Sequence, residues 1–361
     1  MTGDPDSIGR SLDATGDTHP PRELTTTGTT RRHLLAAASA AALLGTADTL
    51  WARHGGRDLP IPTRPVGGDA AANAATRPSN PLSSSPYPSS QRRIPASGRT
   101  VPSIGLGSWL TLDLEPGSHG TEQRVNVVQA FFDTGGGVID SSPMYGHAEA
   151  LIGHALGLAT RSEAALFAAS KIWTPIDAMG VTQMNNTEQS WGIEPMDLMQ
   201  IHNLVDVPAH LPRLREWQDE GRIGHVGVTT SHGRRHDELE RLMQREHLDT
   251  VQLTLNLTHR EAERRLLPLA ADRGMVVIVN RPLDGGRLPD SLAKRALSPL
   301  AIELGCESWA AFCLLFVVSH PAVTCAIPAT RDVDHLHENM SVLSLEMPDA
   351  KTRKAMVAEL D

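Results

Sequence analysis

Aromatic residues are scarce in this 361-residue chain, at 4% of positions, and tyrosine occurs only twice. A core built from it has to rely on Leu, Val, Ile and Ala. Cysteine is almost as rare: Cys306, Cys313 and Cys325, all late in the chain among apolar neighbours. An odd count in that setting reads as buried thiols and excludes a disulfide framework, and the spacing matches no zinc pattern. A concentrated basic stripe is also missing, and the formal net charge is −9 with a pI near 6.0. Both argue against a nucleic-acid partner. No G-x-G-x-x-G follows the first strand-like run, which argues against a Rossmann domain.

Periodic apolar patterning is what the N-terminal quarter lacks. Residues 1–92 are rich in Thr, Ser, Pro, Gly and Ala. One island interrupts them, where Arg31 and Arg32 stand directly before an uncharged, Ala-rich run of about a dozen residues. A mature membrane-crossing helix needs roughly twenty, whereas a signal-peptide core needs about this many. The arrangement resembles a twin-arginine export signal over residues 1–52. It implies the twin-arginine machinery as a partner and an exported location with no stable membrane span in the mature protein. The alternative is a tail with an incidental arginine pair and a cytoplasmic protein. Residues 53–92 carry Pro-Ser clusters and read as a flexible linker.

From residue 93 onward the pattern changes. A Ser-Gly turn between β-compatible residues predicts a hairpin over Ile94–Val101. Strand-like runs follow at Ile104–Gly107, Val138–Asp140, Leu166–Lys171, Leu198–His202, His225–Val228, Thr250–Thr254, Val276–Val279 and Val323–Ile327. Between them lie helical patterns such as Thr121–Thr134, Glu149–Leu156, Ala209–Asp219, Asp237–Arg245, Arg260–Arg273 and Ser308–Val318. Eight strands alternating with helices over residues 93–361 predict a (β/α)8 TIM barrel preceded by a hairpin.

Three of these strands end in residues that carry proton chemistry: Asp140, Lys171 and His202. Tyr145 follows Asp140 in the loop Ser-Ser-Pro-Met-Tyr-Gly. Each gap between the strand-end residues is about thirty residues, one strand–helix unit, so successive parallel strands deliver the side chains to one rim. An acid, a phenol, an ammonium and an imidazole gathered there suit proton transfer to a carbonyl. Tyrosine has an ordinary pKa near 10, and a cation beside it is expected to lower that value. Singly, Asp140 and Lys171 also read as a buried ion pair, Tyr145 as a packing residue, and His202 as a satisfied strand-end histidine.

The segment Asp140-Ser-Ser-Pro-Met-Tyr-Gly146, with Ser170-Lys171-Ile-Trp173, Asp197-Leu-Met-Gln-Ile-His202 and Ala326-Ile-Pro-Ala-Thr-Arg331 followed by His-Glu-Asn339, resembles the aldo-keto reductase superfamily in order and spacing. The resemblance covers residues 93–361. It implies reduction of an aldehyde or ketone by a nicotinamide dinucleotide, which supplies the hydride that no side chain can. It makes Tyr145 the acid, Lys171 its neighbouring cation held by Asp140, and His202 the group that orients the carbonyl.

The same resemblance implies cofactor contacts. Thr229 and Thr230 stand where the family has Ser-Asn, and Gln252 keeps an amide. Asn280 takes the place of a ring that stacks on nicotinamide, followed by Arg281, Pro282 and Leu283, with Arg281 placed to reach the pyrophosphate. Ile327, Thr330, Arg331, Glu338 and Asn339 match the final cofactor segment, and the helix start with Arg331 favours NADP(H) over NAD(H). Arg331 and Glu338 also fit a plain exposed helix surface. Trp109 and Trp173 are expected in the substrate pocket, although Trp109 equally fits an ordinary core. The short segments Asn203–Pro208 and Asp284–Asp290 suggest an open cleft. Histidines at 225, 232, 236, 335 and 337 are read as surface positions, not metal ligands.

Two competing classes remain at this stage. The changes at Thr230 and Asn280 suit a non-catalytic dinucleotide-sensing or partner-binding protein on the same barrel. An isomerase or lyase barrel without nicotinamide is the other, opposed by the Ile-Pro-Ala-Thr-Arg and Glu-Asn segments.

Overall fold

The computed structural model describes residues 90–161 and 166–360. The signal-like segment and nearly all of the linker lie outside them. The first strand starts at Gln91, two residues before the barrel boundary expected from the sequence. The hairpin pairs β1 (Gln91–Arg93) with β2 (Thr100–Pro102) in antiparallel register.

Eight parallel strands follow: β3 (Leu106–Gly107), β4 (Val138–Asp140), β5 (Phe167–Ile172), β6 (Met196–Ile201), β7 (Ile223–Thr229), β8 (Thr250–Thr254), β9 (Val276–Asn280) and β10 (Cys325–Ala326). Bridges from Ile104 to Ala326 and from Gly107 to Ala329 join the first strand to the last and close the sheet. The result is the expected barrel.

Strand side chains alternate with a period of two, and this alternation places the site. Val138, Phe167, Ala169, Leu198, Val276, Ile278 and Cys325 pack in the barrel interior, together with Ile94 and Val101 of the hairpin at its lower end. Ile139, Ala168, Met199, Val226, Val228, Val251 and Val277 point outward into the larger core shared with the helices. Continuing the inward set by two residues per step reaches Asp140, Lys171, Gln200, Gln252 and Asn280. The interior is therefore apolar below and polar at the C-terminal rim. Such strands are buried on both faces, and the run Phe167–Ile172 is buried at all six positions.

The helices that follow differ from expectation mainly in the second half. Arg260–Arg273 divides into a short turn at Glu261–Arg264 and a helix at Leu266–Asp272. The segment expected to be a short loop at 284–290 contains a turn at Asp284–Gly286 and a helix at Arg287–Leu292. Trp309–Val318 is buried on every side, and Ser308 caps its start by accepting the Ala311 N–H. The three cysteines are free and buried, and burial pushes the Cys306 thiol up to about 11.

Candidate active site

At the C-terminal ends of β4, β5 and β6 the four expected residues come together. Lys171, fully buried, donates to Asp140 Oδ1, and to the Ser141 carbonyl at 2.7 Å. The other carboxylate oxygen of Asp140 accepts Gln252 Nε2 at 2.9 Å and Gln200 Nε2 at 3.1 Å. A buried ion pair persists only when its remaining polar atoms are also satisfied, and the two glutamine amides do this. Gln200 is invisible to a motif search. Its place is nevertheless readable from the period of two, since it lies two residues before His202 on the inward face.

The loop after β4 carries Tyr145 and is tightly held. Tyr145 N–H donates to Ser142 O at 2.9 Å, and His147 N–H to Asp113 Oδ1 at 2.8 Å. Gly146 has φ +61°, and a Cβ there would sit 2.1 Å from Asp113 Oδ1, so both the conformation and the space demand glycine. The phenol ring centre is 5.2 Å from Lys171 Nζ. It meets the His202 imidazole edge-on, with centroids 5.7 Å apart at 84°.

Electrostatics corrects one expectation. Burial raises the Tyr145 pKa, Lys171 lowers it by charge and hydrogen bond, and Asp140 raises it. The balance lies above the ordinary 10.0, so the expected net lowering by Lys171 does not occur. Burial disfavours the phenolate by more than one already paired ammonium stabilises it. Burial likewise opposes the charge on Lys171, but Asp140 and Tyr145 outweigh it and the ammonium is retained. Burial, followed by repulsion from Lys171, holds His202 down at about 2, so its imidazole is neutral. The resting site thus contains a protonated phenol, an ammonium and a neutral imidazole.

A cavity of about 1110 Å³ opens here. Its wall includes Tyr145, His202, Trp109, Thr230, Gln252, Asn280, Arg281, Pro282, Leu283, Ile327, Thr330, Glu338 and Asn339. Lys171 is buried behind this wall, and three of the expected cofactor and substrate-pocket residues do not line it either. Thr229 is buried, and its hydroxyl accepts the Asn203 N–H at 2.9 Å, bracing the chain just after His202. Trp173 is 43% exposed on the rim. Arg331 is exposed at the start of the last rim helix, Val333–Ser341. That helix start is capped by the Asp332 carboxylate, which accepts the Asp334 and His335 N–H groups. The donors expected to face a phosphate are therefore partly taken.

Asn280 makes a polar floor where the sequence suggested a missing ring. Its oxygen accepts Thr254 Oγ1 at 2.6 Å, and its amide nitrogen donates to Thr230 O at 2.8 Å and to Gln252 Oε1 at 3.3 Å. Arg281 pairs with Asp284 and extends over the Trp109 ring, 6.0 Å from its centre. Sequence reasoning passed over Arg234 and Arg235 and read His232 as a plain surface position; all three reach the cavity from the loop after β7. The Arg-Arg pair in Ser231-His-Gly-Arg-Arg235 was the available signal. The fit to a nicotinamide dinucleotide is good. The volume exceeds the roughly 300–1,000 Å³ of ordinary small-molecule pockets, and guanidinium groups on the wall suit a diphosphate.

Comparison with known proteins gives a consistent picture. The family model described as "Aldo/keto reductase family" matches residues 103–355. Among curated proteins, the chain is 28% identical over 272 residues to methylglyoxal reductase YeaE of Escherichia coli, covering 72% of this chain and 92% of that one. It is 25% identical over 224 residues to an NADH-specific methylglyoxal reductase of the same organism, covering 54% and 68%. Among solved structures, an aldo/keto reductase from Klebsiella pneumoniae in complex with NADP and acetate superposes with a TM-score of 0.63 at 23% identity, covering 74% of this chain and 94% of that one.

Proposed function

The chain belongs to the aldo/keto reductase family, and from that membership we infer that it reduces the carbonyl group of an aldehyde or ketone at the expense of NAD(P)H. The observation that carries the site assignment is the buried Lys171–Asp140 pair set beneath Tyr145 and beside His202. A bound nicotinamide supplies the hydride that the carbonyl carbon accepts. In our reading the wall residues Thr230, Gln252, Asn280 and Arg281 hold the reacting half of the cofactor, and Thr330, Glu338 and Asn339 the adenosine half.

The chain's own residues supply the proton and the geometry. Tyr145 donates its phenolic proton to the carbonyl oxygen as negative charge develops there. Lys171 stabilises the phenolate left behind, and its charge is kept by Asp140. This division makes physical sense of the raised pKa: the acid stays protonated at neutral pH, and the cation acts once the proton has left. His202, neutral, aims the substrate oxygen at Tyr145. Trp109, Met144 and Val205 give the substrate an apolar surface.

We favour NADP(H) on the strength of Arg331, an exposed guanidinium without an ion-pair partner among the described residues, which suits a 2′-phosphate. The Asp332 carboxylate opposes it, and the relatives' names point both ways. Rates with NADPH and NADH decide the matter: NADPH is expected to be preferred, and Arg331→Ala to erase the preference. Equal rates with both would remove it. We also propose export through the Arg31-Arg32 segment. Replacing both arginines by lysine is expected to keep the protein in the cytoplasm, and unchanged fractionation would refute this.

The activity itself is tested with purified protein and a panel of reactive aldehydes. Consumption of NAD(P)H is expected. Tight dinucleotide binding without turnover across the whole panel would instead indicate a sensing protein.

A further inference from the structure

We propose that Ser142 sets the tautomer of His202, holding its single proton on Nε2 so that an N–H, not a lone pair, faces the substrate oxygen. The proposal rests on His202 being the oxygen-orienting group, and it makes Ser142 a positioning residue.

A neutral imidazole has one N–H, so the choice of nitrogen decides whether the group facing the cavity donates or accepts. His202 is neutral and sits at the cavity wall. Its Nδ1 lies 3.0 Å from Ser142 Oγ, and both side chains are buried. Its Nε2 has no hydrogen-bond partner among the described residues and is not sealed from the cavity. The direction of the Ser142–His202 bond follows from what else the hydroxyl can reach. Ser142 Oγ already accepts the Met144 N–H at 3.4 Å. Among the described residues, Nδ1 is the one acceptor within reach of the hydroxyl proton. If Ser142 donates to Nδ1, both the Ser142 hydroxyl and the buried Nδ1 are satisfied, and the imidazole proton resides on Nε2, facing the cavity. If Nδ1 carried the proton, the Ser142 hydroxyl would be buried with no acceptor, a situation native structures avoid. A bare Nε2 lone pair would then oppose the carbonyl oxygen.

Ser142 also ties the acid to the imidazole. Its carbonyl accepts the Tyr145 N–H and its side chain contacts His202, so one residue relates the two groups that meet the substrate oxygen. Removing the hydroxyl by Ser142→Ala leaves the carbonyl contact to Tyr145 in place, which separates tautomer control from loop placement.

The test reads the tautomer directly. The full-length protein, labelled with 15N-histidine, is examined by two-bond 1H–15N correlation spectra, and the His202 signals are identified by their loss in His202→Asn. The wild type is expected to show Nε2–H, Ser142→Ala a mixture or Nδ1–H, and Ser142→Thr, which keeps the hydroxyl, the wild-type form. Turnover of Ser142→Ala is expected to fall by about tenfold, as for loss of one hydrogen bond's worth of transition-state orientation, with dinucleotide affinity unchanged and Ser142→Thr restoring the rate. An Nδ1–H wild type, or an unchanged tautomer in Ser142→Ala, overturns the proposal. The wild-type spectrum requires no substitution, so a variant that fails to fold does not remove the test. If His202→Asn instead turns over at the wild-type rate, the role given to His202 fails while the tautomer result stands on its own.

Discussion

Tyr145 has a pKa raised by burial, against which the opposite-signed influence of Lys171 is insufficient. The sign fixes a pH dependence. In the proposed mechanism reduction needs the protonated phenol, and a raised pKa extends the protonated range upward. The rate kcat/KM is therefore expected to stay level through neutral pH and to fall only above the ordinary tyrosine value of 10.0. His202, held at about 2, adds no break near its ordinary 6.5. A descending limb at neutral pH would assign the proton to another group. The four residues proposed for catalysis were legible in the sequence because each ends a strand or follows one in a recognisable motif. Gln200 stands in no motif and was legible only as an inward-facing strand position, and Ser142 stands inside the motif without its hydrogen bond to His202 being readable there. The net sign of the Tyr145 shift was also out of reach, since it depends on how deeply the loop is buried.

Two helices hold the strand that carries Lys171. Glu149, buried in the helix Ala148–Leu158, accepts Ser170 Oγ at 2.5 Å and Thr187 Oγ1 at 3.0 Å, joining that helix to β5 and to the helix Asp177–Trp191. Burial raises its pKa above the ordinary 4.5 despite these hydrogen bonds. The folded state thus keeps a proton that the unfolded chain has already released. The associated stability is present below pH 4.5 and is lost as pH rises through the raised value. Glu149→Gln, which does not titrate, should therefore gain on the wild type in thermal midpoint as pH rises from about 4.5. A constant difference across that window would contradict the assignment. Gly153 faces the same helix pair, where an added Cβ would lie 1.7 Å from the Ser190 carbonyl oxygen. Gly153→Ala should cost about 1–3 kcal/mol in chemical denaturation by forcing the helices apart. No loss would mean that the two helices move apart freely. Helices such as Thr121–Asp133 and His236–Arg245 were visible in the sequence through their apolar spacing, whereas Asp177–Trp191, the longest of the described helices, was not among those read from it. Arg287–Leu292 was not visible, because six residues containing Pro289 are too few to show a helical period.

Over the whole molecule, the alternation of strands and helices and the missing glycine fingerprint together pointed to a closed barrel, and closure through Ile104 and Gly107 agrees with that. What remained hidden was the division of the interior into an apolar lower half and a polar rim. It arises only when the strands are set in register, because residues far apart in sequence then share one layer. That layer contains Asp140, Lys171, Gln200 and Gln252, and it supports the central claim that a phenol above a buried ammonium protonates a carbonyl as hydride arrives. Single-turnover oxidation of NAD(P)H by a reactive aldehyde, compared between wild type and Tyr145→Phe, tests this most directly. The account predicts that dinucleotide affinity is retained while the rate falls by about 10²–10⁴, the usual contribution of a positioned general acid. Tyr145→Phe reducing the aldehyde at the wild-type rate would contradict it.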